Sequence, residues 1–213
     1  MKKSIFLAVG LLFCAASIFA QQTSVGLRVG YTLSDVLVKE PDGLIVEGNP
    51  DIEFDEDYRP LHSFHTGIDS RFQFSERFGI IASLLYGRKG YTGTIAWPTG
   101  IADATWKLHY LNLPVVADFR LWKGLYLQGG AEAGWLIDAQ VDSRGESFDP
   151  RNAFSNINEL DFGLVGGLEY RFPKGFFIGA RYIFGIAPLQ RFDAVSYNRA
   201  TQVSMGYRHV MGE

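Results

Sequence analysis

Apolar and polar side chains alternate strictly over residues 160–172 of this chain. One parity of the segment is apolar except for a single glycine, whereas the other carries Asp161, Glu169 and Arg171. Alternation with a period of two is typical of a β-strand whose two faces meet different surroundings. The same pattern recurs along the chain, with charges largely confined to one parity. It predicts eight strands, at residues 23–34, 63–74, 78–89, 107–121, 125–138, 160–172, 176–187 and 199–209.

The connections between the predicted strands alternate in length. Residues 75–77, 122–124 and 173–175 are tight turns, whereas residues 35–62, 90–106, 139–159 and 188–198 are long loops. Each strand is long enough to cross a bilayer at a tilt. Short turns in the periplasm and long loops outside are typical of outer-membrane barrels. We therefore predict an all-β, eight-stranded antiparallel up-and-down transmembrane β-barrel with both termini in the periplasm.

The glycines indicate which face of the strands lies inside the barrel. A soluble eight-stranded barrel such as a lipocalin would also alternate, but with its apolar parity inward. A water-facing surface has little reason to accept many glycines because each weakens the strand, whereas a narrow lumen needs small residues beside long charged ones. Only Gly129 and Gly166 lie on the apolar parity. The glycines on the charged parity are Gly26, Gly30, Gly67, Gly79, Gly87, Gly130, Gly134, Gly163, Gly167, Gly179, Gly185 and Gly206.

The charged parity is therefore predicted to face the lumen and the apolar parity to face lipid. The inward acids and arginines are balanced in number, which predicts mutual ion pairing. They are Arg28, Asp69, Arg71, Asp118, Arg120, Glu132, Asp138, Asp161, Glu169, Arg171, Arg181 and Arg208. The candidate site is a lumen ion-pair network in the middle of the barrel, formed by Arg28, Asp69, Glu132, Glu169, Arg181 and Arg208. An ion or solute path is the alternative, but eight strands leave room only for side chains, so a structural plug is favoured.

Aromatic residues near the strand ends predict two interfacial girdles. On the turn side these residues are Phe74, Phe78, Trp122, Phe172 and Phe176, and nearer the loops they are Tyr86, Trp135 and Phe184.

The first twenty residues are typical of a cleavable secretory signal. A basic start at residues 1–3 precedes an almost wholly apolar run at 5–19, which is too short to span a membrane as a helix. Cys14 within it follows Phe13 rather than the small residue of a lipoprotein site. We predict a signal peptide at residues 1–20 and one barrel domain at 21–213. Without Lys2 and Lys3, 18 basic residues face 23 acidic ones, giving a net charge of about −5, so nucleic acid is not an expected partner.

The segments outside the strands offer two weak candidates for chemistry. The dense carboxylates of residues 51–57 could collect a divalent cation, but they lack the glycine and final glutamate of an EF-hand loop, so a solvated acidic loop is favoured. His62, Ser63 and His65 with Asp57 suggest nucleophilic catalysis, although recognised triads are assembled from distant chain positions. An enzyme acting on acyl chains would also need an apolar cavity. The sequence therefore predicts no enzyme and no cofactor, and leaves cation binding open.

Several motifs resemble the PorT-like outer-membrane β-barrel family. They are Leu84-Leu85-Tyr86 followed by Lys89-Gly90, the segment Tyr110-Leu111-Asn112-Leu113-Pro114-Val115, Asp161-Phe162-Gly163 with Gly166-Gly167, and Arg181-Tyr182 followed by Gly185. The resemblance covers residues 23–209 and implies an eight-stranded envelope protein. Some members are tied to a protein-secretion and gliding apparatus. The chain departs from the usual pattern at its end, because residues 210–213 follow His209 where a final aromatic residue is more typical for insertion-machinery recognition.

Together these features predict a non-enzymatic outer-membrane protein of a Gram-negative cell, with a charge-plugged lumen, that acts as an envelope scaffold or binds other components through its loops. The alternatives are a component of a secretion or gliding apparatus and a small-conductance pore. The expected partners are outer-membrane lipid, the barrel-insertion machinery and other envelope or secretion proteins. The physiological ligand, the conductance and the oligomeric state are left open.

Overall fold

The computed structural model describes residues 20–39, 54–97, 100–143, 146–148, 158–189 and 195–211. The predicted signal peptide, apart from Ala20, lies outside these residues. Within them the strands are β1 Gln22–Lys39, β2 Phe54–Gln73, β3 Phe78–Trp97, β4 Gly100–Trp122, β5 Leu125–Ser143, β6 Glu146–Phe148, β7 Leu160–Arg171, β8 Phe176–Pro188 and β9 Val195–Met211. No helix among the described residues is long and apolar enough to cross a membrane.

Eight of the strands form a closed antiparallel ring. β1 pairs with both β2 and β9, so that the first and last strands are neighbours, and β4 pairs with β5. The order around the ring is β1-β2-β3-β4-β5-β7-β8-β9, and the short β6 pairs only with the end of β5. The predicted eight-stranded antiparallel architecture is confirmed.

The ring closes with a stagger. When register partners are followed from Ile81 on β3 through β4, β5, β7, β8 and β9, they lead to Ser34 on β1 and Leu61 on β2. Leu61 lies beside Pro60, whose partner on β3 is Tyr91. One circuit of the ring therefore returns to β3 near Tyr91 instead of at Ile81. Such a shear tilts the strands relative to the barrel axis. Residues that are not register partners therefore lie at the same level along that axis. The shear thus determines which charged side chains meet across the lumen.

The tight turns all lie at one end of the ring, called here the turn end, and the opposite end is called the loop end. The predicted turns are found, because β2 ends at Gln73 before β3, β4 ends at Trp122 before β5, and a 3-10 turn at Pro173–Gly175 joins β7 to β8. Gly124 and Gly175 adopt φ values of 84° and 90°, which glycine reaches without strain. Trp122 and Phe176 are well exposed beside these turns, as an aromatic girdle requires.

The charged parity faces inward, as predicted. On β1 the side chain of Leu27 is 69% exposed, whereas the next residue, Arg28, is 1% exposed. The same contrast holds on β7, where Leu164 and Leu168 are exposed while Glu169 is buried. The outer surface of the ring is therefore apolar, and the lumen contains the charges.

The inward glycines are needed for close packing. A Cβ on any of the twelve would lie within 3.2 Å of another atom, and on Gly26 it would overlap the carbonyl oxygen of Tyr207. By contrast, a Cβ on either of the two outward glycines, Gly129 and Gly166, would have no atom within 4 Å. The asymmetry that the sequence shows thus has a steric origin, because backbones and long side chains crowd the lumen but not the outer surface.

Gly26→Ala is expected to lower the free energy of unfolding by about 1–3 kcal/mol, because its Cβ would force neighbouring backbone apart. Gly166→Ala, on the outer face, should leave that free energy within about 0.5 kcal/mol. Urea unfolding of the purified barrel in detergent micelles, followed by tryptophan fluorescence, compares the two variants. Equal effects would argue against the crowded lumen.

The strands are longer than predicted at the loop end. β1 continues beyond Ser34, β2 begins before Ser63, β3 extends beyond Lys89 and β9 begins before Arg199. The predicted loops are therefore shorter, and β3 and β4 form an almost continuous hairpin in which Trp97 pairs with Gly100. The predicted girdle residues Tyr86, Trp135 and Phe184 lie below these extensions.

A bulge corrects one inward assignment. Tyr110 pairs with Leu136 but the preceding His109 pairs with Asp138, so Ile137 is an extra residue that reverses the parity of β5. Ala139 and Val141 consequently point inward and are buried. Asp138, predicted to face the lumen, instead lies on the outer face, where Gln140 donates a hydrogen bond to its Oδ2 at 2.9 Å.

Candidate functional site

Four of the predicted site residues form one bonded network in the lumen. Arg28 donates from Nη2 to Asp69 Oδ2 at 3.0 Å and to Glu169 Oε2 at 2.9 Å. Arg208 reaches the same two acids, donating from Nε to Asp69 Oδ2 at 2.8 Å and from Nη1 to Glu169 Oε1 at 2.7 Å. Each acid thus bridges two arginines, and all four residues are almost completely buried. We call these four residues the central network.

Phe177 lies against the central network. Its ring centroid is 4.7 Å from Arg28 Cζ and 4.0 Å from Arg208 Cζ, so that two guanidinium groups stack on one aromatic ring. The side chain is only 2% exposed. Sequence reasoning did not select it, although its position next to the outward Phe176 places it on the inward parity.

A second cluster lies below the central network, toward the turn end. Arg71 donates to both oxygens of Asp118 at 3.2 Å, and Arg171 Nη2 lies 2.9 Å from Asp118 Oδ2. Arg171 also donates from Nε to Glu169 Oε1 at 2.8 Å, which joins this cluster to the central network. The Cζ of Arg171 lies 3.6 Å from the ring centroid of Tyr126. These side chains fill the lumen near the turns.

A third cluster lies toward the loop end and contains Glu132. Lys89 Nζ donates to Glu132 Oε1 at 2.8 Å and to Asp161 Oδ2 at 3.0 Å, and Asn198 Nδ2 donates to the same Asp161 oxygen at 2.9 Å. Lys89 Nζ also lies 5.3 Å from the ring centroid of Tyr110. Glu132 therefore belongs to a different cluster from the one in which the sequence placed it. Lys89 was missed as its partner, although it shares the inward parity of Gly87.

Arg181 is the remaining predicted site residue. It lies in the lumen and is 3% exposed, and its Nε donates to Gln128 Oε1 at 2.7 Å. Among the described residues, no carboxylate forms a hydrogen bond or an ion pair with Arg181. The structure thus brings together four of the six predicted residues, and places Glu132 and Arg181 at other points of the same lumen.

One apolar layer lies between the central network and the third cluster, and others lie near the loop end. Ile81, Val116, Val165, Ile183 and Ala200 pack together in the lumen, and a further cluster near the loop end contains Leu108, Tyr110, Ala139 and Leu189. Trp106 and Val141 pack there too, with Tyr91 stacked on Trp106 at a centroid distance of 4.7 Å. The described lumen is therefore filled by alternating charged and apolar side chains.

Comparison with known proteins agrees with this architecture. The model of the outer membrane protein beta-barrel domain family matches residues 19–191. The chain belongs to this family. As an outer-membrane β-barrel, it contacts lipid through the apolar outer face of its ring.

Solved structures of several outer-membrane barrels are similar to this chain. Ail, the attachment invasion locus protein of Yersinia pestis, is 21% identical, with 89% of this chain and 100% of Ail covered and a TM-score of 0.49. OprG from Pseudomonas aeruginosa is 11% identical, with coverage of 89% and 97% and a TM-score of 0.48. Neisserial surface protein A is 15% identical, with coverage of 85% and 95% and a TM-score of 0.47. No curated protein matches the sequence.

His62, Ser63 and His65, the described members of the suggested catalytic group, have separate hydrogen-bond partners. His65 faces the lumen, where its Nδ1 is 2.8 Å from Thr32 Oγ1 and its Nε2 is 2.9 Å from Ser204 Oγ. His62 is exposed on the outer face and is hydrogen-bonded to Tyr31. Ser63 Oγ donates to the backbone oxygen of Arg88 at 2.7 Å. The side chain of Asp57 lies outside the described residues. Of the other three, His62 faces outward, whereas Ser63 and His65 face the lumen.

No cluster of histidine and acidic side chains that could hold a metal ion occurs in the part of the barrel that the structure describes. The acidic segment 51–57 falls largely outside that part, since residues 51–53 are not described and only the backbone of 54–57 is. Calcium binding there stays a question for calorimetry.

Proposed function

We propose that the protein is a non-enzymatic outer-membrane barrel whose plugged lumen makes it a rigid scaffold and whose loops bind other components of the cell envelope. The observation that carries this proposal is the filling of the lumen. Ion-paired clusters around Asp118, Asp69 and Asp161 follow one another from the turn end to the loop end. One apolar layer lies between the last two, and another lies near the loop end. Such an interior stabilises the barrel instead of conducting.

The strand extensions support a role for the loops. From Tyr86 in the predicted outer girdle, β3 continues to Trp97, and β4 returns from Gly100. At about 3.3 Å per residue these eleven steps span roughly 36 Å along the strand, so the hairpin projects well beyond the girdle. Loops held on a rigid scaffold commonly carry recognition. The projecting hairpins therefore offer a surface for envelope partners.

The proposed orientation puts the turn end and both termini in the periplasm, after removal of a signal peptide at residues 1–20. It rests on the usual arrangement of outer-membrane barrels, with short turns inside and long connections outside. Partners on the cell surface would then meet the loop end, and the insertion machinery would meet β9 from the periplasm.

Crosslinking in intact cells tests the binding role. A photoreactive residue in place of Gln140, exposed on the outer face near the loop end, is compared with one in place of Lys123 in a turn. We expect Gln140 to give discrete protein adducts that Lys123 does not give, and mass spectrometry identifies the attached proteins. Components of a secretion or gliding apparatus among them would favour the PorT-like role. Equal adduct patterns, or lipid adducts alone, would contradict loop-mediated binding.

Glu132→Ala tests the plug. The change removes one of the two acids bonded to Lys89, so the free energy of unfolding should fall by about 1–3 kcal/mol. We expect no single-channel current from either the wild type or the variant in planar bilayers, because the apolar layers remain. Reproducible currents from the wild type would instead establish a pore.

A further inference from the structure

Arg181 is a buried cation that lacks an acidic partner. Its side chain is 3% exposed, and Nε is satisfied by Gln128, but Nη1 and Nη2 are both buried without a hydrogen-bond partner among the described residues. A guanidinium group stays protonated in proteins, and an unpaired buried charge is costly. The arrangement therefore calls for a neutralising group that the side chains do not supply.

The nearest carboxylates are already occupied. Asp69 accepts hydrogen bonds from Arg28, Arg208 and Ser83. Glu169 accepts from Arg28, Arg208 and Arg171. Neither oxygen pair is hydrogen-bonded to Arg181, although both acids act on it electrostatically. Together, the three clusters and Arg181 contain one more cation than acid. The cations are Arg28, Arg71, Lys89, Arg171, Arg181 and Arg208, and the acids are Asp69, Asp118, Glu132, Asp161 and Glu169.

The unpartnered groups around Arg181 are donors. Besides the two Nη groups, Arg28 Nη1 and Gln128 Nε2 are buried without a partner among the described residues. Arg28 is among the charges that act on Arg181, and Gln128 is bonded to it directly. On the neighbouring strand β7, the residue paired with Arg181 is Gly167, and a Cβ there would lie 2.9 Å from Arg181 Cγ, so the glycine lets the Arg181 side chain lie against β7. Donors and excess positive charge together define a site for an acceptor that is negatively charged.

We propose that the lumen holds one small monovalent anion of the halide class, bound by Arg181 with Gln128 and Arg28. One negative charge balances the six cations of the lumen against its five acids, whereas a dianion would leave an excess of the opposite sign. The described lumen is packed with apolar and ion-paired side chains, which favours a small ion over a large one. Because side chains fill the lumen above and below, the anion is taken up as the barrel forms.

The test compares unfolding in chloride and in gluconate, a much larger anion, at constant ionic strength. For the wild-type barrel we expect the unfolding constant to fall about tenfold for each tenfold rise in chloride above the dissociation constant. Arg181→Gln removes the excess charge and should abolish this dependence. Arg120→Gln, which alters a pair at the turn end, should keep it. Equal unfolding of the wild type in both salts, or an unchanged dependence in Arg181→Gln, would overturn the proposal.

Crystals of the wild-type barrel grown in sodium bromide give a second measurement that needs no variant. We expect an anomalous peak within hydrogen-bond distance of Arg181 Nη1 or Nη2. A water molecule there without anomalous signal would overturn the proposal even if Arg181→Gln failed to fold.

Discussion

Asp69→Asn is expected to lower the free energy of unfolding by about 3–5 kcal/mol, the largest loss among single lumen substitutions. The change keeps the size of the side chain and removes its charge. Asp69 binds both Arg28 and Arg208 and accepts a hydrogen bond from Ser83. Without its charge, Arg28 and Arg208 have only the carboxylate of Glu169, which Arg171 also contacts. Urea unfolding in detergent micelles, followed by tryptophan fluorescence, measures the loss.

Glu76→Gln is the matched control for this substitution. It also removes the charge of an acid that pairs with an arginine, Arg120, at 3.7 Å, but the Glu76 side chain is 91% exposed. Exposed ion pairs contribute about 0–1 kcal/mol, so the control should unfold almost as the wild type does. A loss below about 1 kcal/mol for Asp69→Asn would show that the central network contributes little to stability.

The sequence predicted the ring and its two faces because both produce a periodic pattern of apolar and polar residues. Strands buried between lipid and lumen must alternate, and the alternation was clear at Leu164 and Glu169. The glycines indicated which face is inward, since a Cβ on Gly26 would overlap neighbouring backbone, whereas one on Gly166 would have no atom within 4 Å. These features belong to each strand separately, so they can be recognised without knowing which strands pair.

The partition of the lumen charges could not be predicted in the same way. Which acid pairs with which arginine depends on the shear of the ring. Shear is determined when the whole barrel closes, and the sequence of a single strand does not reveal it. The parity of Glu132 correctly predicted that its side chain faces inward. Its pairing with Lys89 instead of Arg28 follows from the stagger of the ring. The same holds for Arg181, whose inward direction was predicted and whose lack of an acidic partner was not.

Two further differences have local causes. The bulge at Ile137 adds one residue to β5, and a single insertion reverses parity, so Asp138 moved from the predicted lumen to the outer face. The strand extensions beyond Lys89 and Ser34 lost the alternating pattern because, beyond the girdle, the outer face no longer meets lipid. Alternation with a period of two appears where the two faces of a strand meet different surroundings, and it is lost where both faces meet similar ones.

Leu164→Arg is expected to lower the free energy of unfolding by about 2–4 kcal/mol, because it places a guanidinium group in the middle of the lipid-facing surface. Leu164 is 54% exposed on β7, between Leu160 toward the loop end and Tyr170 toward the turn end. The lumen should be undisturbed, since the side chain points away from it. Unfolding in lipid vesicles of defined thickness measures the effect with hydrocarbon present.

Leu160→Arg is the matched control, because it makes the same change on the same strand and face, four residues nearer the loop end. Leu160 is paired with Trp135, a predicted member of the outer girdle, so the new guanidinium group can reach the headgroups. Its cost should therefore be about 0–1 kcal/mol. A steep difference between the two variants requires a hydrocarbon layer centred near Leu164. If both arginines were tolerated equally, the apolar outer face would not be bathed in lipid, and the inward direction of the charges would need another explanation.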